Sequence, residues 1–284
     1  MTELCGRTFL ITGGNTGIGL ETARNLAGRG GTVYIACRSA AKGEAAVAAI
    51  KTASGNDSVA LLPLDLTDLV SVRACAAAFL ALDQPLHVLI NNAGVAGRQG
   101  LTRQGFELIF GVNHLGHFAL TTALLDRLRA ADAPRVVTVS SDAHYAAKGI
   151  DWTGLRQRGH GLGAMHQYSV SKLCNVLFAQ ELARREPDIA SYALHPGVVA
   201  SDIWRRVPWP VRPLIKARML PVQDGAKTSL YCATSPEVAG ESGRFYDSCA
   251  EREPGRAATP ELAAELWRRS EQWAALTSDE SDAA

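Results

Sequence analysis

The sequence predicts a single α/β domain with a doubly wound, mostly parallel sheet of about seven strands flanked by helices. One observation is that short aliphatic segments alternate along the chain with longer amphipathic ones, which is the pattern of right-handed βαβ units. Another is a glycine-rich turn between the first such strand and the first helix, as in Rossmann-type dinucleotide-binding folds. No linker or repeat divides the chain. We therefore expect one domain over residues 1–276 and a disordered tail over residues 277–284.

Six short segments are predicted as buried parallel strands because they are largely aliphatic or β-branched. They are Arg7–Thr12, Thr32–Cys37, Val59–Leu64, His87–Ile90, Arg135–Ser140 and Ile189–Leu194. Five stretches between them are predicted as helices: Gly19–Gly28, Ala41–Ala53, Asp68–Leu82, Gly105–Ala131 and Tyr168–Arg185. Asp68 is a typical residue to begin a helix, and Pro187 a typical residue to follow one. Residues 142–167 and 202–223 lack a clear period, and long irregular stretches of this kind are usually functional or mobile.

Composition excludes several classes of protein. Apolar residues make up 47% of the chain and charged residues 20%, which is typical of a globular protein. Because 29 Lys and Arg nearly balance 28 Asp and Glu, a nucleic-acid partner is not expected. The six cysteines contain no C-x-x-C pair, so neither a metal site nor a disulfide framework is predicted. We find neither a signal-peptide pattern nor an apolar run long enough for a transmembrane helix, and we expect a cytoplasmic protein.

The first candidate site is the turn Thr12–Gly19, with the sequence TGGNTGIG. Its glycines allow a tight turn and close approach of the backbone to a pyrophosphate, and the N-terminus of the following helix favours an anion. An ordinary glycine-rich turn is the alternative, but the position between a strand and a helix favours a nucleotide site. The residues predicted to bind the cofactor here are Gly13, Asn15, Thr16, Gly17, Ile18 and Gly19.

The end of the second predicted strand indicates which nucleotide binds. An acidic residue there holds the ribose 2′-hydroxyl of NAD, whereas arginine suits the 2′-phosphate of NADP. Here the strand ends in Arg38, Lys42 follows, and no acidic residue occurs between Thr32 and Gly43. A solvated arginine is the alternative interpretation of Arg38. The missing acid favours NADP(H).

A candidate catalytic group comes from the second half of the chain. Tyr168 and Lys172 are four residues apart, which places them on one face of the predicted helix. A nearby ammonium favours the phenolate, so Lys172 is expected to lower the pKa of Tyr168. Ser141 follows a strand and could hydrogen-bond a carbonyl oxygen, although Ser140 competes for that role. The histidines lack the carboxylate or further ligand of a metal site, so no metal is predicted.

With these motifs in order, the chain resembles the classical short-chain dehydrogenases/reductases, in register from about Gly6 to Tyr246. ACRSAAKGE, FGVNHLGHFALT, YSVSKLCNVLFAQELA and LHPGVV are most similar to the branch containing retinol dehydrogenases, WW-domain oxidoreductase and protochlorophyllide reductases. The resemblance implies further cofactor contacts besides Tyr168 and Lys172: Asp65, Leu66, Asn92, Ala93, Gly94, Pro196, Gly197, Val199 and Ser201.

The resemblance also implies catalytic roles. Tyr168 would exchange a proton with the substrate oxygen, and Ser141 would orient the carbonyl. Lys172 would lower the pKa of Tyr168 and hold the nicotinamide ribose. Asn113 would kink its helix and hold a water in a proton relay. The expected activity is therefore NADP(H)-dependent oxidoreduction of a carbonyl/alcohol pair, with reduction the expected direction.

Residues 202–223 stand where this family places its substrate lid, and their apolar side chains suit a bulky hydrophobic substrate. Trp204, Trp209 and Leu214 are the predicted lid residues. Two alternative interpretations of this segment are a lid that only covers the core and a peripheral membrane contact. Two further hypotheses concern the whole protein: a non-catalytic NADP(H)-binding regulator or scaffold, and a redox-neutral cyclase or epimerase. Either a monomer or a homo-oligomer is compatible with the sequence.

Overall fold

The computed structural model describes residues 3–159, 163–199 and 220–275, with side chains of the helix beginning at Gly163 described from residue 165 onward. The described strands are β1 (Thr8–Thr12), β2 (Thr32–Cys37), β3 (Val59–Pro63), β4 (Val88–Asn91), β5 (Arg135–Val139), β6 (Ala190–His195), β7 (Arg244–Asp247) and β8 (Ala250–Arg252). They form one sheet in the order β3-β2-β1-β4-β5-β6-β7-β8. All neighbours pair in parallel except β7 with the edge strand β8. The predicted fold class is confirmed, with one strand more than expected.

Helices cover both faces of the sheet. We label them α1 (Gly17–Gly28), α2 (Ala40–Ser54), α3 (Leu69–Leu80), α4 (Gly116–Ala123), α5 (Leu125–Arg129), α6 (Gly163–Arg185), α7 (Val222–Thr234) and α8 (Pro260–Ala274). Asp68 does not open α3 as a helical residue but caps it, since its side chain accepts a hydrogen bond from the amide of Val70. One apolar core lies beneath α3, α4, α6 and α8, and a second lies beneath α1, α2 and α7.

The structure corrects several predicted boundaries. The expected helix Gly105–Ala131 is interrupted: a short turn at Leu108–Phe110 is followed by a π-helical turn at Gly111–Leu115, then by α4 and the separate α5. Helix α6 begins at Gly163 rather than Tyr168, inside the segment predicted as irregular. That segment also contains 3-10 turns at Asp142–Ala146 and Gly154–Arg156.

The sequence patterns missed β7, β8, α7 and α8. The two strands are short, RFYD and AER, and β8 is exposed at the edge of the sheet, so neither has a long apolar run. Helix α8 is amphipathic and buries Ala263, Leu266 and Trp267. The domain limits 1–276 and the disordered tail stay predictions.

Candidate active site

The strand order reverses between the parallel neighbours β1 and β4, and the site is built where those two strands end. In open α/β sheets, ligands bind at this crevice beyond the carboxyl ends of the strands. The hydroxyl of Thr12, at the end of β1, accepts hydrogen bonds from the amides of Asn92 (3.0 Å) and Ala93 (2.9 Å), which follow β4. The Asn92 side chain donates to the Thr12 carbonyl at 2.8 Å. These bonds fix the two turns against each other.

The turn after β1 depends on the lack of side chains at its glycines. Gly13 and Gly17 have φ values of +67° and +55°, in the left-handed region that favours glycine. A Cβ at Gly19 would lie 2.4 Å from Asn92 Nδ2 and 2.5 Å from the Gly13 carbonyl oxygen, so the first turn of α1 packs directly on the loop. No acidic residue occurs in this first turn of α1. A helix N-terminus of this kind suits an anion such as a pyrophosphate.

Arg38 and Lys42 lie at the end of β2 and in the first turn of α2. Both side chains are exposed. Within the described parts of the chain, no ion pair joins either of them to a carboxylate. The structure thus leaves two exposed cations at the end of β2 and the start of α2.

Asp65 and Leu66 follow β3 on the same edge of the sheet. One carboxylate oxygen of Asp65 accepts hydrogen bonds from the amide (3.0 Å) and hydroxyl (2.8 Å) of Thr67, which fixes the carboxyl group in the turn. Leu66 is buried and packs against Gly116, where a Cβ would lie 2.9 Å from Leu66 Cδ2. Leu66 therefore packs in the core, in contact with the first residue of α4.

Lys172 is almost completely buried, with 2% of its surface exposed. Its Nζ donates to the Val139 carbonyl at 2.9 Å, and the Asn175 side chain donates to the same carbonyl at 3.1 Å. Nζ also lies 5.6 Å from the centre of the Tyr168 ring. Burial lowers the pKa of Lys172 to about 7. Its ammonium therefore titrates near neutrality, which gives the site a cation whose charge depends on small changes in its surroundings.

Tyr168 is partly exposed, one helical turn from Lys172. Burial of the phenol raises its pKa, the Ser141 hydroxyl lowers it by hydrogen bonding, and the charge of Asp142 raises it again. The net shift is upward. Burial of the phenol is the largest influence on this pKa, and the expectation that Lys172 lowers it stays a prediction.

The two serines after β5 have different partners. The Ser141 hydroxyl donates to the Asp142 carboxylate at 2.9 Å and accepts from the Ala143 amide at 3.1 Å. The Ser140 hydroxyl donates to the Lys172 main-chain carbonyl at 2.7 Å and therefore fastens α6 to the sheet. Ser140 is thus used in packing, whereas the Ser141 hydroxyl is the one that lowers the pKa of Tyr168.

Asn113 lies in the π-helical turn Gly111–Leu115. Its side chain accepts from the Val95 amide at 2.8 Å and donates to the Val95 carbonyl and the Ser171 hydroxyl, both at 3.0 Å. A Cβ at Gly94 would lie 3.5 Å from Asn113 Oδ1 and 3.7 Å from Lys172 Nζ. The turn after β4, the π-helical turn and α6 therefore meet at Gly94.

Sequence reasoning missed several residues that support the site. His117 Nδ1 donates to the Asn113 main-chain oxygen at 3.0 Å, and its Nε2 lies 2.8 Å from the Thr12 hydroxyl. Asn175 shares a carbonyl with Lys172, and Ser171 binds Asn113. The spacing of four residues between Asn113 and His117, and of three between Lys172 and Asn175, could have indicated that these side chains share a helix face.

The segment after β6 leaves the carboxyl end of that strand and packs near the start of α7. Gly197 has a φ of +84°. Val199 is buried and pairs with Leu220, and a Cβ at Gly225 would lie 2.4 Å from Val199 and 3.3 Å from Ile18. Gly225 of α7 therefore packs near both Val199 and the start of α1. Four predicted residues lie outside the described part of the chain: Ser201, Trp204, Trp209 and Leu214.

Three described histidines have separate structural partners. His114 lies 2.9 Å from the Ser270 hydroxyl, His117 contacts the Thr12 hydroxyl, and His144 contacts the Ser141 carbonyl. In the residues that the structure describes, no cluster of three or more His, Cys, Asp or Glu side chains could hold a metal ion. In the same residues, no helix is long and apolar enough to span a membrane. The cytoplasmic location stays a prediction.

The short-chain dehydrogenase family model matches residues 7–154, which span the glycine-rich turn, the strand ends and Ser141. The chain belongs to the short-chain dehydrogenase family. It is 45% identical over 257 residues to human retinol dehydrogenase 12, covering 87% of this chain and 79% of the relative. It is 43% identical over 285 residues to bovine dehydrogenase/reductase SDR family member 13, covering 97% and 75%.

A solved structure of an uncharacterised protein from Mycobacterium paratuberculosis is similar over most of its length. It has 37% sequence identity and a TM-score of 0.77, and the match covers 95% of this chain and 94% of that one. Structures of two more distant members of the fold contain NADPH and NADH. This short-chain dehydrogenase is thus an oxidoreductase of a family that uses nicotinamide cofactors.

Proposed function

We propose that this protein is an NADP(H)-dependent oxidoreductase that interconverts a bulky hydrophobic ketone or aldehyde and its alcohol. The observation that carries the proposal is the convergence of Ser141, Tyr168 and Lys172. They meet at the carboxyl edge of the sheet, where the glycine-rich turn is also located. A regulator that only bound the nucleotide would not need this arrangement of a phenol, an amine and a hydroxyl.

The residues present fit a nicotinamide dinucleotide. The close packing of Gly19 against Gly13 and Asn92 leaves a side-chain-free turn at the N-terminus of α1, where a pyrophosphate would bind. Asp65 would contact the adenine end, and Lys172 the nicotinamide ribose. Arg38 and Lys42 are exposed cations without a described carboxylate partner, which supports a 2′-phosphate and hence NADP(H).

The bound nucleotide supplies or accepts the hydride. The chain's own residues manage the proton. A raised pKa keeps Tyr168 protonated at neutral pH, so its phenol can donate to the oxygen of a carbonyl as that oxygen gains negative charge. The Ser141 hydroxyl would orient the same oxygen. A charged Lys172 near the ring would then stabilise the phenolate that remains.

The proposed substrate class rests on apolar surface and on the relatives. Val198 and Leu220 lie on either side of the undescribed segment and are 47% and 42% exposed. Retinol dehydrogenases 11 and 12 are by name enzymes of retinol, a bulky apolar alcohol, and this chain is 43–45% identical to the human forms. A hydrophobic alcohol or carbonyl compound of similar size is therefore the proposed substrate.

The test is titration of the purified protein with NADPH and NADH, followed by turnover of a panel of hydrophobic aldehydes and ketones. We expect tighter binding of NADPH, and loss of nicotinamide absorbance that depends on substrate. Binding without turnover on the whole panel would favour the regulator hypothesis. Conversion of a substrate without net nicotinamide oxidation would favour a redox-neutral enzyme. Binding of neither nucleotide would contradict the proposal.

A further inference from the structure

The imidazole of His144 is completely buried in the 3-10 turn that follows Ser141. Its Nδ1 lies 2.6 Å from the main-chain oxygen of Ser141, and its Nε2 lies 3.0 Å from the amide nitrogen of Gly255. Gly255 belongs to the loop between the β7–β8 hairpin and α8. A single side chain thus connects the peptide of Ser141 to a segment 111 residues further along the chain.

The two contacts define the hydrogen positions on the ring. A carbonyl oxygen can only accept, so Nδ1 carries the proton, and an amide N–H can only donate, so Nε2 offers its lone pair. Both contacts are satisfied by the neutral imidazole alone. Burial lowers the pKa of His144, which maintains this form at neutral pH.

Packing leaves the ring little freedom to move. Its centre lies 4.0 Å from that of Tyr145 and 4.6 Å from that of Phe245 in β7. A Cβ at Gly255 would lie 3.3 Å from His144 Cδ2, which is a tight contact. Tyr145 binds the same loop separately, since its hydroxyl donates to the Glu253 carbonyl at 2.7 Å.

The conformation of the Ser141 backbone fixes its hydroxyl relative to its carbonyl. Ser141 is extended, with φ −168° and ψ 157°, and its hydroxyl accepts from the Ala143 amide in the turn that contains His144. Its carbonyl also accepts from the His144 amide at 3.1 Å. Movement of this turn would therefore move the hydroxyl relative to Tyr168, and misplacement of a catalytic group by about 1 Å can cost about a hundredfold in rate.

We propose that His144 is a positioning residue for Ser141, which it holds against the loop at Gly255 so that the C-terminal segment sets the place of the serine hydroxyl. The proposal rests on the function proposed above, in which Ser141 orients the carbonyl. His144 itself contacts neither nucleotide nor substrate in this scheme. It acts through the Ser141 peptide.

The experiment compares three variants of the full chain by steady-state kinetics. His144→Phe keeps an aromatic ring in the pocket but removes both hydrogen bonds. His144→Asn keeps a donor near the position of Nδ1 and loses the contact with Gly255. Tyr145→Phe is the matched control, because it removes a hydrogen bond to the same loop without touching the Ser141 carbonyl.

We expect His144→Phe to lower kcat about tenfold or more while the KM for substrate and the Kd for NADPH stay within about twofold. His144→Asn should recover part of that loss, and Tyr145→Phe should stay close to the wild type. The concentration of folded active sites in each variant is measured by NADPH titration and used to calculate kcat, so that partial unfolding is not mistaken for a lower kcat.

Two results would overturn the proposal while leaving the proposed function intact. One is wild-type kcat in His144→Phe. The other is an equal loss in His144→Phe, His144→Asn and Tyr145→Phe that follows their melting temperatures, which would indicate general packing only. Absence of turnover by the wild type would instead overturn the proposed function, and this inference with it.

Discussion

The nucleotide side and the catalytic side of this short-chain dehydrogenase are built in different ways. On the nucleotide side, Gly13 and Gly19 shape the backbone, and Arg38 projects into solvent. On the catalytic side, Lys172 and Asn113 are buried, and each is held by groups from distant parts of the chain. One side is a backbone surface with exposed charges, and the other is a packed hydrogen-bond network.

The difference predicts how each side responds to change. A surface formed by backbone is sensitive to added volume, and an exposed cation can be exchanged without disturbing the fold. A buried network is sensitive to loss of single polar atoms, because each lost partner leaves another group unsatisfied. Substitutions on the two sides should therefore separate binding from chemistry.

The largest effect is expected for Tyr168→Phe, which removes only the phenolic oxygen on the catalytic side. Loss of a positioned general acid should lower kcat by about 10²–10⁴-fold, because the phenol is the group proposed to donate the proton to the carbonyl oxygen. The Kd for NADPH should change little. Stopped-flow measurement of kcat and a fluorescence titration check both parts, and retained turnover would remove Tyr168 from the chemistry.

Arg38→Asp tests the exposed charges of the nucleotide side. Charge-assisted hydrogen bonds are worth about 1.5–3 kcal/mol, so the ratio of NADPH to NADH affinity should fall by about 10–100-fold. kcat at saturating nucleotide should stay near that of the wild type.

Lys51→Asp is the matched control for Arg38→Asp, since it makes the same kind of charge change in the last turn of α2, away from the end of β2. An equal change of preference in both variants would mean that net charge, and not a contact of Arg38, sets the choice of nucleotide.

Gly19→Ala tests the backbone surface itself. The added Cβ would lie 2.5 Å from the Gly13 carbonyl oxygen, so the loop must shift, and overpacking typically costs about 1–3 kcal/mol. We expect NADPH binding about tenfold weaker. Gly28→Ala in the same helix meets no atom within 4 Å and should bind NADPH like the wild type. Equal behaviour of the two variants would contradict a close-packed turn.

The same difference explains how much could be predicted from the sequence. The nucleotide turn is local, because its glycines and the helix that follows are adjacent in the chain, so TGGNTGIG indicates the structure directly. The fold class and the Ser141–Tyr168–Lys172 set were also accessible from spacing and order. The support of the catalytic side was not, because its contacts cross the chain, as in the bond from Gly255 to His144.

Two features of the catalytic side were not accessible from sequence patterns, for physical reasons. The apolar period predicted one helix over Gly105–Ala131, because a period of 3.6 does not reveal where a helix becomes a π turn; only the family resemblance implied a kink at Asn113. The raised pKa of Tyr168 was not accessible either, because the sequence shows the neighbouring Lys172 but not the burial of the phenol. The extent of burial is a property of the folded chain and cannot be read directly from the order of the residues.

The last prediction concerns stability rather than activity, and it sharpens the contrast between an exposed cation and a buried one. In the folded protein the pKa of Lys172 is about 7, against about 10.4 for a lysine in the unfolded chain. Between those values the unfolded chain binds one more proton at this site, so the free energy of unfolding rises with pH, by at most about 1.4 kcal/mol per pH unit. Below pH 7 both states are protonated and the penalty for the buried charge is fully present.

Lys172→Met removes this titration and retains an unbranched side chain. Urea unfolding of both proteins without added nucleotide, between pH 6.5 and 9, isolates the contribution of Lys172, because other titrating groups cancel in the difference between them. The variant's stability relative to the wild type should be greatest near pH 6.5 and should fall as the pH rises. Arg38→Met gives the comparison on the exposed side, where no such dependence is expected because water already solvates the charge. A difference that is flat with pH for Lys172→Met would mean that Lys172 stays charged in the fold, and that solvation of its ammonium is as effective there as at the surface.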